Sequence, residues 1–79
     1  MATKAYVLIE TAVGKTRDVM SSLSGVAGVA AVDAVTGPYD IIAVISANDL
    51  NSVGEIVTDK VHTIGGVNRT VTCLSVSVG

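Results

Sequence analysis

The residue types best suited to binding chemistry lie together in Gly37-Pro38-Tyr39-Asp40, between two apolar runs. Proline fixes φ at a turn corner and glycine adopts φ angles that other residues avoid, so the stretch predicts a tight reversal between two strands. Glycine also lets a ligand approach the backbone closely. Main-chain N–H groups at such a turn can hold a carboxylate, and Asp40 can accept hydrogen bonds from an ammonium group. A structural interpretation competes with this one: Asp40 caps the turn and Tyr39 packs at a sheet edge.

No other residues have the spacing of a catalytic or metal site. His62, the one histidine, falls late in a predicted helix, where a cation suits the helix dipole. Cys73 is the one cysteine, which excludes an internal disulfide and a cysteine-based metal cluster. The sequence contains no nucleophile–base pair and no phosphate-binding loop. We therefore predict a protein that is not an enzyme, with no catalytic residue, no metal site and no cofactor.

The composition indicates a single small domain, residues 1–79, that associates with copies of itself. Of its residues, 49% are apolar and only 15% are charged, against roughly 25% charged in an average globular domain. A chain of this size buries only about 60% of the surface that its unfolded form exposes, so a monomer has a small core. Association with further copies is the simplest way to cover the remaining apolar surface.

Charge and hydropathy exclude two classes of partner. The net charge is −2, and the five Lys and Arg residues are scattered, so no basic stripe is available to neutralise phosphates. No apolar run is long enough to span a membrane, and no signal peptide is recognisable. We predict a cytoplasmic protein that binds neither nucleic acid nor membranes directly.

Hydrophobic periodicity predicts the order strand, helix, strand, strand, helix, strand. The predicted strands are Lys4–Thr11, Val29–Val35, Tyr39–Ala47 and Val67–Val78. The predicted helices cover residues 16–23 and the segment from Asn48 or Asp49 to Gly65. Gly54, in the middle of the second helix, disfavours helix and is interpreted as a point of close packing against a strand.

This order predicts an α+β ferredoxin-like βαββαβ plait, a four-stranded antiparallel sheet with both helices on one face. The third strand is apolar on both sides, since Ile41, Ala43 and Ile45 alternate with Ile42 and Val44. Antiparallel sheets with one solvated face normally alternate apolar with polar residues. We therefore predict that the open face packs against a second sheet, which gives at least a dimer.

The sequence also resembles a known family, the effector-binding domain of the leucine-responsive (Lrp/AsnC) regulators. The most specific part of the resemblance is the hairpin run at residues 35–42, with its Gly-x-Tyr-Asp pattern. The opening strand at residues 5–9, the Ala-Gly-Val at residues 27–29 and the closing segment at residues 66–72 also fit. The resemblance covers essentially the whole chain.

The resemblance implies a homo-oligomer in which dimers pair through their sheets and assemble into octamer- or decamer-like rings. Amino-acid effectors would bind between dimers, in a pocket lined by Gly37, Tyr39 and Asp40. Thr70 and Thr72 on the last strand match positions near that pocket. The chemistry is coherent, because an amino acid needs an acceptor for its ammonium group and N–H or O–H donors for its carboxylate.

Typical members carry an N-terminal helix-turn-helix domain, whereas this sequence begins just before the first predicted strand. We therefore expect a stand-alone effector domain that modulates transcription through full-length Lrp/AsnC regulators. The alternative function is a small dimeric α+β-barrel enzyme of the monooxygenase or lactone isomerase type, which shares the plait and the sheet-to-sheet dimer. A third interpretation is a structural assembly element that is indifferent to metabolites.

Overall fold

The computed structural model describes residues 2–77, and its secondary structure follows the predicted order. The elements are β1 Thr3–Thr11, α1 Thr16–Ser24, β2 Val29–Ala34, β3 Ile41–Ala47, α2 Leu50–Ile56, a π-helical turn Val57–Val61 and β4 Val67–Leu74. The strands form one antiparallel sheet in the order β2-β3-β1-β4. The prediction of a ferredoxin-like βαββαβ plait is confirmed.

The core lies between the helices and the two central strands. Every second residue of β1, from Ala5 to Ile9, and every second residue of β3, from Ile41 to Ile45, is fully buried on this side. The helices close the core with Val19, Leu23, Val53, Val57 and Val61. Each such Val, Leu or Ile side chain contributes about 1.5–3 kcal/mol of stability on full burial. The buried positions recur with a period of two in both strands, and in α1 they are Val19 and Leu23, which lie about one helical turn apart.

The reversal between β2 and β3 is wider than predicted. The strands end at Ala34 and resume at Ile41, so Tyr39 belongs to the loop of residues 35–40 (the hairpin loop below) rather than to the third strand. The loop is closed by the Val35 N–H, which donates to the Asp40 carbonyl at 2.9 Å.

The second helix also departs from its prediction. The α-helix ends at Ile56 and continues as the π-helical turn to Val61. The interpretation of Gly54 as a close-packing point is wrong, because a Cβ built there meets nothing within 4 Å. Gly28 is in tight contact instead, since its Cβ would lie 2.6 Å from Ile56 Cδ1. The fourth strand ends at Leu74, and Val78, where its predicted end fell, lies outside the described residues.

The face of the sheet opposite the helices (the open face below) is apolar. Its central residues are Tyr6, Leu8, Ile42, Val44 and Val71, which the register places side by side. Within residues 2–77 no helix packs on this face, and Tyr6 and Val71 are each 38% exposed. The expected two-sided apolar sheet is therefore present, and the second sheet that would cover it stays a prediction.

Candidate functional site

The hairpin loop forms a groove where it meets the open face. The groove has a volume of about 450 Å³. Its walls are the loop residues from Val35 to Tyr39, and its floor is formed by Leu8 and Ile42, which are register partners on β1 and β3. A ligand in this groove would contact loop backbone on one side and aliphatic side chains on the other.

Gly37 and Tyr39, two of the three hairpin residues predicted to bind a ligand, line the groove, whereas the third, Asp40, is not among its lining residues. Ligand binding by these residues stays a prediction. Gly37 has φ of +143°, in a region that side chains other than glycine rarely adopt. A Cβ built at Gly37 meets nothing within 4 Å, so the space beside its backbone is open. The glycine therefore serves both the loop conformation and access to the main chain.

Asp40 ties the hairpin loop to the end of β1. Its Oδ2 accepts a hydrogen bond from the Thr11 N–H at 2.8 Å, and its own N–H donates to the Ile9 carbonyl at 2.9 Å. The contact lies beside the bulge that shifts the β1–β4 register between Glu10 and Thr11. The structural role considered for Asp40 is therefore real. Its second oxygen, Oδ1, makes no hydrogen bond within residues 2–77.

A charged cluster that sequence reasoning missed adjoins Tyr39. The Arg69 Nη2 group lies 3.3 Å from the Tyr39 hydroxyl, to which it donates, and the guanidinium carbon lies 5.6 Å from the ring centroid. The same nitrogen is 4.0 Å from Glu10 Oε2. Arg69 and Glu10 are cross-strand partners in the β1–β4 ladder. Their opposite charges on strands that the plait makes neighbours were the available signal.

The two threonines predicted near the site lie on the other side of the sheet. Thr72 is the register partner of Val7, which is buried beneath the helices, so the two share the helix-facing side. Thr70 is on the same side, where its Oγ1 lies 2.8 Å from His62 Nε2. One subunit therefore does not bring the threonines and the hairpin loop together. A shared pocket requires that a neighbouring subunit present them, and this part of the site stays a prediction.

The described residues form neither a metal site nor a membrane-spanning helix. Within residues 2–77, no three His, Cys, Asp or Glu side chains come close enough to hold a metal ion together. No helix in that part of the chain has the length and hydropathy needed to cross a membrane. One resolved pKa shift belongs to Asp49, whose pKa lies below its ordinary value of 3.8 because its carboxylate accepts the Ser52 N–H at the start of α2.

The chain is similar to one family of known proteins along almost its whole length. The family model for the Lrp/AsnC ligand-binding domain matches residues 4–78. The HTH-type transcriptional regulators PH1916 of Pyrococcus horikoshii and PF0250 of Pyrococcus furiosus are 35% and 36% identical over 78 residues, which is 95% of this chain and 52% of each regulator. The chain thus spans about half the length of the curated relatives it matches.

Solved structures extend the comparison. The protein TTHA0845 of Thermus thermophilus is 30% identical, with a TM-score of 0.91 over 98% of this chain and 96% of that one. AsnC of E. coli shares the fold at 16% identity, with a TM-score of 0.90 over 96% of this chain and 52% of AsnC. The regulator NMB0573 of Neisseria meningitidis, solved as a complex with L-Met, shares it at 18% identity, with a TM-score of 0.85 over 95% of this chain and 50% of the regulator.

Proposed function

The chain belongs to the family of Lrp/AsnC ligand-binding domains, and we propose that its ligand is an α-amino acid bound in the groove beside the hairpin loop. Its curated relatives are transcriptional regulators. The proposed role is that of a sensor whose amino-acid occupancy alters an oligomer and, through it, full-length regulators of the same family. No DNA contact is assigned to this domain itself.

The observation that carries the proposal is the composition of the groove. Its volume of about 450 Å³ falls within the range of roughly 300–1,000 Å³ typical of small-molecule sites. Leu8 and Ile42 provide an apolar surface for a side chain, and Gly37 exposes main chain. Asp40 follows the groove residue Tyr39 and keeps one carboxylate oxygen that makes no hydrogen bond within residues 2–77. An amino acid requires an apolar surface for its side chain, hydrogen-bond donors for its carboxylate and a hydrogen-bond acceptor for its ammonium group. The L-Met complex of the Neisseria regulator supports the ligand class.

The second part of the proposal is assembly through the open face. A monomer would leave Tyr6, Val44 and Val71 partly in water, and contiguous apolar patches of this kind usually mark interfaces. We propose that two sheets pack on each other through these residues to form a dimer, with Leu8 and Ile42 left to the groove, and that dimers join into an octamer or decamer. In such a ring a neighbouring subunit could present Thr70 and Thr72 to the hairpin loop.

The cytoplasm stays the compartment predicted from the sequence.

The dimeric-enzyme alternative is less well supported by the same groove. Its lining within the described residues contains no histidine, and Asp40, the acid next to the groove, already accepts a hydrogen bond from the Thr11 N–H, whereas general acid–base chemistry needs a group that can give up or take a proton within hydrogen-bond reach of the substrate. His62 lies against Thr70 on the helix-facing side. Turnover of an aromatic or lactone substrate by the purified protein would nevertheless reverse this preference.

Native mass spectrometry of the purified protein with each of the twenty standard amino acids tests the proposal. An assembly larger than a dimer that gains one amino acid per site is the expected result. A dimer that binds none of the twenty would refute both the ligand class and the ring. A larger assembly without any bound amino acid would retain the oligomer and refute the sensor.

A further inference from the structure

We propose that Arg69 of β4 binds the carboxylate of the amino acid in the hairpin groove, an inference that rests on the proposed function and names a residue for it. The predicted carboxylate donors were backbone amides and the threonines of β4. Within one subunit Thr70 and Thr72 face the helices. Arg69 is the β4 side chain that reaches the hairpin loop on the groove side.

The path of the Arg69 side chain carries the argument. In the sheet order, β1 lies between β4 and β3, so a contact between Arg69 and Tyr39 must cross β1 on the open face. Arg69 makes that crossing, with Nη2 at 3.3 Å from the Tyr39 hydroxyl and the guanidinium 5.6 Å from the ring centroid. Tyr39 is itself part of the groove wall. A positive charge therefore lies against a residue of the groove wall, although Arg69 does not itself line the groove.

The guanidinium is not committed to another partner. Its ion pair with Glu10 is long, at 4.0 Å, and the two side chains are 62% and 41% exposed. Exposed pairs of this kind contribute little to stability. An arginine has five N–H donors in a planar fork that matches a carboxylate with two parallel hydrogen bonds. A ligand carboxylate can thus be bound without breaking a strong contact.

A competing role for Arg69 is to hold Tyr39 in place without touching the ligand. The two roles differ in their response to the ligand's charge. If Arg69 binds the carboxylate, its replacement weakens the amino acid but not the corresponding amino-acid amide, which keeps the ammonium group and side chain. If Arg69 only orients Tyr39, both ligands lose affinity together. Comparison of the two ligands therefore separates recognition from positioning.

Isothermal titration calorimetry would measure the affinity of two ligands, the tightest-binding of the twenty standard amino acids and its amide. Each would be titrated into four proteins: the parent, Arg69→Gln, Arg69→Lys and Tyr39→Phe. For Arg69→Gln we expect the affinity for the acid to fall roughly 10- to 100-fold, the worth of a charged hydrogen bond, with the amide unchanged. Arg69→Lys keeps the charge without the fork and should give an intermediate loss. Tyr39→Phe removes the hydroxyl contact and should preserve the discrimination between acid and amide.

The outcomes separate the two proposals. If the parent binds an amino acid and Arg69→Gln discriminates acid from amide as the parent does, Arg69 is not the carboxylate partner and the proposed function stands. Equal loss of acid and amide would also overturn recognition by Arg69. If the parent binds none of the twenty, the proposed function and this inference fail together. Arg69 is mostly exposed, so both variants should fold, and their melting temperatures serve as the check.

Discussion

Two replacements of Asp40 would separate its structural contact from its proposed role in binding. Asp40→Ala removes Oδ2, which accepts the Thr11 N–H at 2.8 Å. Thr11 is only 9% exposed. Asp40→Asn keeps an oxygen in nearly the same place and removes only the charge. The pair therefore varies the hydrogen bond and the charge independently.

The expected magnitudes follow from the geometry. A buried N–H left without a partner costs about 1–3 kcal/mol, so Asp40→Ala should lower the free energy of unfolding by that amount. Asp40→Asn should lose less than about 1 kcal/mol, because the bond survives in its weaker, uncharged form. In a domain of this length, 1 kcal/mol corresponds to roughly 4–8 °C in melting temperature. Thermal unfolding at one fixed protein concentration measures the difference, since association also shifts the midpoint.

Binding gives the second readout. If the Asp40 carboxylate receives the ligand ammonium group, Asp40→Asn and Asp40→Ala should both lose amino-acid affinity, by roughly tenfold or more, although only Asp40→Ala loses much stability. Parent-like affinity in Asp40→Asn would restrict Asp40 to its structural role. Parent-like stability in Asp40→Ala would refute the assigned hydrogen bond.

Four further predictions concern the scaffold. Gly54→Ala should stabilise the protein by up to about 1 kcal/mol, because the added methyl meets open space inside a helix; a lower melting temperature would contradict this. Gly66→Ala should destabilise it by about 1–3 kcal/mol, because φ is +102° and the Cβ would lie 2.9 Å from Lys15 Cβ, and chemical denaturation would measure the loss. Because the pKa of Asp49 is lowered in the folded protein, its cap stabilises α2 above the ordinary pKa of 3.8, and this stabilisation is lost as the pH falls through the folded pKa. The difference in unfolding free energy between the parent and Asp49→Asn should therefore shrink as the solution is acidified. Val44→Lys should break the proposed sheet-to-sheet dimer while each subunit stays folded, and an unchanged mass in analytical ultracentrifugation would argue against that interface.

The sequence predicted the fold well because its strongest signals are local. Alternation in β1 and β3 and the stripe in α1 each specify a face, and the order of elements leaves few topologies. The bounds of the hairpin loop were missed because Val35 and Tyr39 are residue types typical of strands, although neither belongs to a strand here. Gly54 was misinterpreted because no pattern tells whether a helical glycine faces a strand or solvent.

The candidate site was only partly predictable for a related reason. Gly37, Tyr39 and Asp40 are adjacent in sequence, and their types alone indicate a binding turn. The contact between Glu10 and Arg69 depends on the β1–β4 register. That register shifts at a bulge that no sequence pattern predicts. The side of the sheet on which Thr70 and Thr72 lie depends on the same register.

The fourth strand supplies an independent argument for assembly. In the middle of the strand the helix-facing residues are polar, Thr70 and Thr72, whereas Val71 and Cys73 lie on the open face; Leu74 and Arg69, towards its two ends, do not follow this division. The central part of β4 is therefore the reverse of what a strand in a single-layer core requires, since the apolar side normally faces the helices. The reversal follows from the packing, because α1 lies mainly on β2 and β3, and α2 on β3 and β1, which leaves β4 at the margin of the core. Val71 and Cys73 are therefore left exposed in the single subunit, and a second sheet on the open face would bury them together with Tyr6.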